Sequence, residues 1–247
     1  MDFARFIETG LTICPKCEEP FDAPCRCIRE ANARFQAEES ERERKIIVEK
    51  YRDGGITSPL FKSMTFENDI DYRPDTTSFC KQYVKDWTKN FEDNIGLLFY
   101  GPPGTSKTFF ACAIANAVVE TPASVWITDF SEIIRNIYDS EFGDKDAVFQ
   151  KVRSVDLLVL DDIGNKIYTA SELGQITQII EARYRMLKPL IATTNLTPEE
   201  LENPKEREYK RIYDKTLEMC CERFPLIGES IRPKIARIKR EKINYSK

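Results

Sequence analysis

The sequence predicts an α/β protein: a parallel sheet with flanking helices, preceded by a small cysteine-bearing segment. Three observations carry that prediction. From about residue 56, short apolar runs alternate with helical stretches, the pattern of a parallel sheet with crossover helices. A glycine- and proline-rich turn, Gly101-Pro102-Pro103-Gly104, leaves one such run and enters a helix-like one. Cys14, Cys17, Cys25 and Cys27 crowd a short stretch with little apolar sequence of its own.

The elements follow in order. Residues 29–52 are dense in charges of both signs and free of Gly and Pro, which predicts a solvent-exposed helix ending at Asp53-Gly54-Gly55. Ile95–Tyr100 reads as a strand and Lys107–Glu120 as the helix after it. Ser124–Thr128 is a second strand, followed by a helix over about 130–139. Asp156–Leu160 is a third strand, and a long helix covers about 171–187. Pro189–Thr194 is a fourth strand, and residues 206–223 read as a helix in a small C-terminal helical subdomain.

Composition narrows the function. A chain of 247 residues and 28.6 kDa has room for one full-sized domain with an appendage, or for two modest domains. With 41% hydrophobic and 32% charged residues it is globular in character. The absence of histidine excludes Ser-His-Asp and Cys-His hydrolases, His-ligated metal centres and His-based pH switches. A net charge of −4 means that any nucleic-acid contact depends on a local basic patch. The longest nearly apolar run, Phe109–Val119, suits a buried helix and is too short to span a bilayer. The first residues show no basic stretch leading into an apolar one, so a cytoplasmic protein without a membrane partner is expected, with reduced cysteines.

The string Gly101-Pro102-Pro103-Gly104-Thr105-Ser106-Lys107-Thr108 stands between a strand and a helix, the setting a phosphate-binding loop needs. Its glycines let the backbone turn N–H groups toward an anion, and the helix N-terminus adds a positive dipole. Lys107 is expected to reach the β- and γ-phosphates of ATP, and Thr108 to offer its hydroxyl to Mg²⁺. The motif calls for glycine at 106, where this chain has serine. The run Leu157–Leu160 then delivers Asp161 and Asp162 to a strand's C-terminal end, where α/β sheets place ligands. Asp161 is expected to hold Mg²⁺ and Asp162 to polarise the attacking water. Thr193-Thr194-Asn195 ends the fourth strand, where the Asn195 amide can orient water against the γ-phosphate.

Gly55-Ile56, Met64-Thr65-Phe66, the phosphate loop, DLLVLDDIG, Arg183-Tyr184 and KPLIATTN together resemble the bacterial and phage helicase loaders of the DnaC/DnaI type. These are AAA+ ATPases related to the IstB-like ATPases of transposition systems. The resemblance covers about residues 50–235. It implies Walker A roles for Lys107 and Thr108, Walker B roles for Asp161 and Asp162, and a sensor 1 role for Asn195. Gly228–Arg232 is similar to the family's closing motif, which implies that Arg232 is a sensor 2 arginine on the γ-phosphate. Where the family carries its arginine finger, this chain has Lys215. Lysine keeps the charge without the bidentate geometry of a guanidinium. Either Lys215 serves, or Arg211 takes over, or hydrolysis is slow.

Cys14-Pro15-Lys16-Cys17 is a metal-wrapping knuckle, and Cys25-Arg26-Cys27 can complete a tetrahedral S₄ site suited to Zn²⁺. Free thiols and an iron–sulfur site are the other readings of that cluster. Cys80, Cys112, Cys220 and Cys221 are expected to be packing residues. Four segments result: a zinc-binding module (1–28), a charged helical docking arm (29–55), an ATPase core (56–205) and a C-terminal helical, basic segment (206–247). From Arg232 the chain carries Lys234, Arg237, Lys239, Arg240, Lys242 and Lys247 against the single acid Glu241. That run is either a patch for single-stranded DNA or a solvated tail.

The expected function is an ATPase that self-assembles in the presence of ATP and loads the hexameric replicative helicase onto single-stranded DNA. The competing readings are a transposition ATPase that recruits a transposase to duplex DNA, and a non-hydrolysing adaptor.

Overall fold

The computed structural model describes residues 14, 16–19, 24–70, 73–138 and 145–241. The chain divides into two compact units, Met1–Glu49 and Lys50–Lys247.

In the first unit the chain turns at Lys16-Cys17, with the Glu18 N–H donating to the Cys14 carbonyl at 2.9 Å and the Cys14 N–H to Glu19 at 2.8 Å. Cys14, Cys25 and Ile28 form its small buried cluster. Helix α1 (Arg26–Gly55) starts here, ahead of the expected Arg29, and its last residues belong to the second unit. Its side chains are exposed almost throughout residues 29–47, as the mixed charge predicted.

The second unit is built on five parallel strands: β1 (Leu97–Tyr100), β2 (Val125–Thr128), β3 (Leu157–Ile163), β4 (Leu190–Thr194) and β5 (Glu222–Pro225). They lie in the order β2-β3-β4-β1-β5. Both faces of the sheet are covered, so the inner strands are apolar on both sides. Leu97, Phe99, Leu157, Val159 and Ile191 pack toward helix α5 (Lys107–Val119), which is apolar all round and correspondingly buried. Leu98, Leu158, Leu160, Leu190 and Ala192 pack on the other side. There they meet α6 (Phe130–Tyr138), α7 (Lys145–Ser154), α8 (Ala170–Tyr184) and α10 (Arg207–Met219). Short helices α2 (Pro59–Ser63), α3 (Pro74–Lys85) and α4 (Trp87–Glu92) precede β1; α9 (Pro198–Glu202) follows β4. At the entry to this unit Gly55 approaches β2 so closely that a Cβ would lie 1.6 Å from the Val125 carbonyl oxygen. Only glycine fits there.

The four expected strands and the helices after the first three of them are present within one to three residues of the expected bounds. The C-terminal region differs. Residues 206–223 are not one helix: α10 stops at Met219, and Glu222–Pro225 enters the main sheet beside β1. An edge strand covered on one side has no need of an apolar run, so its polar sequence concealed it. The basic stretch is helical, with its cations exposed. Arg232–Glu241 forms helix α11, in which Ile235 and Ile238 are half-buried, as is Ile231 just ahead of it. Lys242 and Lys247 lie outside the described residues. Cys80, Cys112 and Cys220 are buried packing residues as expected, whereas Cys221 is exposed.

Arg183, on α8, is fully buried and makes no ion pair among the described residues. Its guanidinium donates to the carbonyls of Val152, Val155, Asp156 and Pro189 at 2.5 to 3.1 Å. It thus ties the end of α7 to the starts of β3 and β4. Burial lowers its pKa to about 9, against the pull of Asp156 and Tyr83.

Candidate functional site

The sheet order decides which motifs meet. Because β4 lies between β1 and β3, the C-terminal ends of all three strands converge, and each delivers one motif to a cleft of about 620 Å³. From β1 comes the loop 101–108, which turns into α5. Gly101 has φ 137° and Gly104 φ 82°, and a Cβ on Gly104 would lie 2.1 Å from Ser230 Oγ. Ser106 stands where glycine was called for and adopts the left-handed conformation itself, with φ 72°. Thr105 is buried and donates to the Pro102 carbonyl at 2.9 Å.

Lys107 is 6% exposed. Its Nζ donates to the carbonyls of Gly101 at 2.8 Å and Pro102 at 2.7 Å, and it makes no ion pair among the described residues. Burial holds its ammonium below the ordinary lysine range, with Arg232 adding to the effect and Asp162 and Asp161 opposing it. A buried cation held only by carbonyls, at a helix N-terminus, is a site chemically suited to a polyanion.

From β3 come Asp161 and Asp162, with a register shift between Leu160 and Ile163. Asp161 Oδ1 accepts from Thr108 Oγ1 at 2.8 Å and from Thr193 Oγ1 at 2.5 Å. Burial pushes its carboxyl above the ordinary carboxylate range in spite of those bonds, and Asp162 and Asp129 add to the rise. The Thr108 hydroxyl and Asp161 carboxylate form an adjacent pair of hard oxygen donors, the set that fits Mg²⁺.

From β4 come Thr193, Thr194 and Asn195. Thr193 is buried, and its Oγ1 also accepts from the Asp162 N–H at 2.8 Å. One hydroxyl therefore braces both acids. Asn195 Nδ2 lies 3.4 Å from Asp162 Oδ1. Arg232, at the start of α11, lines the same cleft, and the Ile231 N–H donates to the Gly104 carbonyl at 2.8 Å. Met64, Phe109, Ile231 and Ile235 give the cleft an apolar wall.

Of the expected site residues, those of the loop, the two acids, Asn195 and Arg232 thus share one region. Arg211 and Lys215 do not line the cleft. On α10 they meet Glu181 of α8, Arg211 in an ion pair and Lys215 at 3.3 Å. Burial opposes ionisation of Glu181, but Lys215, Arg211 and Arg185 overcome it and hold its carboxyl below the ordinary range. The bracing role of Thr193 and the position of Asn165, which also lines the cleft, were not visible in the sequence reading. The only sequence signal for Asn165 is its spacing of three residues after Asp162, which suits a turn.

In the first unit, the sulfurs of Cys14, Cys17, Cys25 and Cys27 all lie within 4.8 Å of one another. Cys14 is 3.5 Å from Cys27, and Cys25 is 3.1 Å from Cys27. Sulfurs around a tetrahedral Zn²⁺ stand about 3.8 Å apart for Zn–S bonds of about 2.3 Å, so this cluster fits one ion. Backbone N–H groups of Lys16 and Cys17 lower the Cys14 thiol to about 6, while the contact with Cys25 raises Cys27 to about 12, so without a metal the cluster favours a thiolate at Cys14 and a thiol at Cys27.

Comparison with known proteins agrees with this geometry. Residues 38–237 match the family described as IstB-like ATP binding protein. The chain is 29% identical over 150 residues to the replicative helicase loader DnaC of Escherichia coli (strain K12), over 58% of this chain and 60% of that protein. It therefore spans between about half and three fifths of the length of these curated relatives. Among solved structures, a crystal structure of the DnaC helicase loader matches with a TM-score of 0.57 and 23% identity, over 70% of this chain and all of that one. A crystal structure of DnaI matches with a TM-score of 0.57 and 18% identity, over 71% and 94% of the two chains. At such identities the structural matches speak for the fold. With most of its length inside the family match, and with this sheet and loop, the chain belongs to the IstB-like ATP-binding proteins, an AAA+ family related to the DnaC/DnaI helicase loaders.

Proposed function

We propose that the protein is an ATPase that loads the replicative DNA helicase onto single-stranded DNA, with ATP binding as the assembly switch. The loop 101–108 wraps the phosphates through its N–H groups, and Lys107 exchanges its two carbonyl partners for phosphate oxygens. Thr108 and Asp161 hold Mg²⁺, which when bound neutralises charge on the β- and γ-phosphates. Asp162 takes the proton of a water that Asn195 orients. As that water's oxygen bonds to the γ-phosphorus, the bond to the β–γ bridging oxygen breaks, and Arg232 faces the charge on the γ-phosphate.

Arg211 and Lys215 lie away from their own cleft, so in this reading they complete the site of a neighbouring copy. Zn²⁺ on Cys14, Cys17, Cys25 and Cys27 organises the first unit, which with the exposed arm docks on the helicase. The cations of α11 track the phosphates of single-stranded DNA. A cytoplasmic site of action goes with this reading. Among the described residues no helix is long and apolar enough to cross a membrane.

The observation that carries the loader reading is the 29% identity to a replicative helicase loader over 150 residues. The test is native mass determination of the full chain with the replicative helicase of its own host and ATP. The expected species is a helicase hexamer with several copies of this chain, lost on removing residues 1–52 and lost in Lys107→Ala. The second reading, a transposition ATPase on duplex DNA, is favoured by the family description. Absence of a helicase complex, with capture by a transposase on duplex DNA, decides for it.

A further inference from the structure

We propose that Asn165 is a positioning residue that ties Asn195 to Asp162 and holds the Asp162 carboxylate toward the phosphate end of the cleft. The inference deepens the reading of Asp162 as the base and rests on it. Asn165 Nδ2 donates to Asp162 Oδ2. At the other end of the same amide, Asn165 Oδ1 accepts from Asn195 Nδ2 at 2.8 Å. A carboxamide donates to a carboxylate from one end and accepts from a second amide at the other, which spans the gap between the two side chains. An aspartate has no donor, and an alanine has neither group.

The backbone is shaped for this contact. Asp162 has φ 61° and Gly164 φ 84°, two left-handed residues on either side of Ile163. Ile163 is 2% exposed and anchors the turn in the core. The turn brings the side chain three residues on back to the carboxylate. Asp162 is thereby held at both ends, its N–H on Thr193 and its carboxylate on Asn165.

The arrangement also gives Asn195 a choice. Its amide is now spent on Asn165 and, at 3.4 Å, on Asp162 Oδ1. A terminal phosphate oxygen is a stronger, charged acceptor for the same N–H. When Asn195 turns to it, Asp162 Oδ1 becomes free to accept from water, while Asn165 keeps Oδ2 and so the direction of the carboxylate. Asn165 thus acts on turnover and not on nucleotide affinity.

The test uses the full chain. Hydrolysis is followed under single-turnover conditions, and affinity is measured with a fluorescent ATP analogue. Asn165→Ala is expected to lower the rate about tenfold while the dissociation constant stays within about twofold. Asn165→Ser, whose hydroxyl can still donate to a carboxylate, is expected to fall between the two. Asn165→Ala combined with Asp162→Asn is expected to be no slower than Asp162→Asn alone, since Asn165 acts through that carboxylate. An unchanged rate in Asn165→Ala, or costs that multiply in the double variant, overturns the proposal. Asp162→Asn separates the two levels. If it is inactive while Asn165→Ala turns over at the parent rate, the positioning role alone falls. If Asp162→Asn hydrolyses at the parent rate, or the parent chain shows no turnover, Asp162 is not the base and both readings fall.

Discussion

At the scale of single residues, Asp161 shows how the cleft stores a cost that its ligands relieve. Burial raises its carboxyl above the ordinary carboxylate range even though Thr108 and Thr193 both donate to it. The folded protein therefore holds that proton more tightly than the unfolded chain does. The stability this contributes is complete below the ordinary carboxylate value and is lost as pH rises through the raised one. At neutral pH the ionised carboxylate is a burden on the unliganded fold. Asp161→Asn is accordingly expected to raise the unliganded melting temperature at pH 7 by about 2 °C or more, a gain that vanishes in acid. The same change is expected to abolish Mg²⁺-dependent nucleotide binding. Melting curves across pH, paired with nucleotide titrations, check both halves. Ser106 shows the limit of reading a motif by identity. It looked like a departure from glycine, yet it adopts the left-handed φ of 72° that the loop requires. A serine there costs of the order of 1 kcal/mol in backbone strain without changing the course of the chain.

At the scale of elements, legibility followed burial. Strand β3 and helix α5 announced themselves because they are apolar on every side, and the motifs at their ends fixed the site. Strand β5 was hidden because Glu222-Arg223-Phe224-Pro225 lies at an edge and is largely exposed. Helix α11 was hidden because two isoleucines among exposed cations give only a faint apolar stripe. Arg183 was read only as part of a resemblance, and its role is structural. It supplies donors to four carbonyls at the junction of α7, β3 and β4. Arg183→Met keeps much of the volume and strands those acceptors, so a loss of about 3 kcal/mol or more is expected, read by denaturant unfolding. Nucleotide affinity measured well below the transition is expected to be unaffected, since Arg183 is remote from the cleft.

At the scale of the whole molecule, two units with different sources of stability share one chain. The second has a core on both faces of its sheet, and among the described residues the first buries a cluster of Cys14, Cys25 and Ile28. So small a cluster draws much of its folding free energy from a metal. About one Zn²⁺ per chain is expected by elemental analysis. Cys25→Ser is expected to lose it and to open residues 14–28 to proteolysis while ATP affinity is retained. Less than half an equivalent in the parent chain counts against the site. The strand order has a further consequence, for the growing polypeptide. Strand β4, wedged between β1 and β3, is made after both, and Arg232 later still. On the ribosome the loop and the two acids emerge without the strand that joins them, so Asp161 and Asp162 wait for Thr193. Nucleotide therefore cannot template the early chain; it can bind only a domain whose translation is nearly finished.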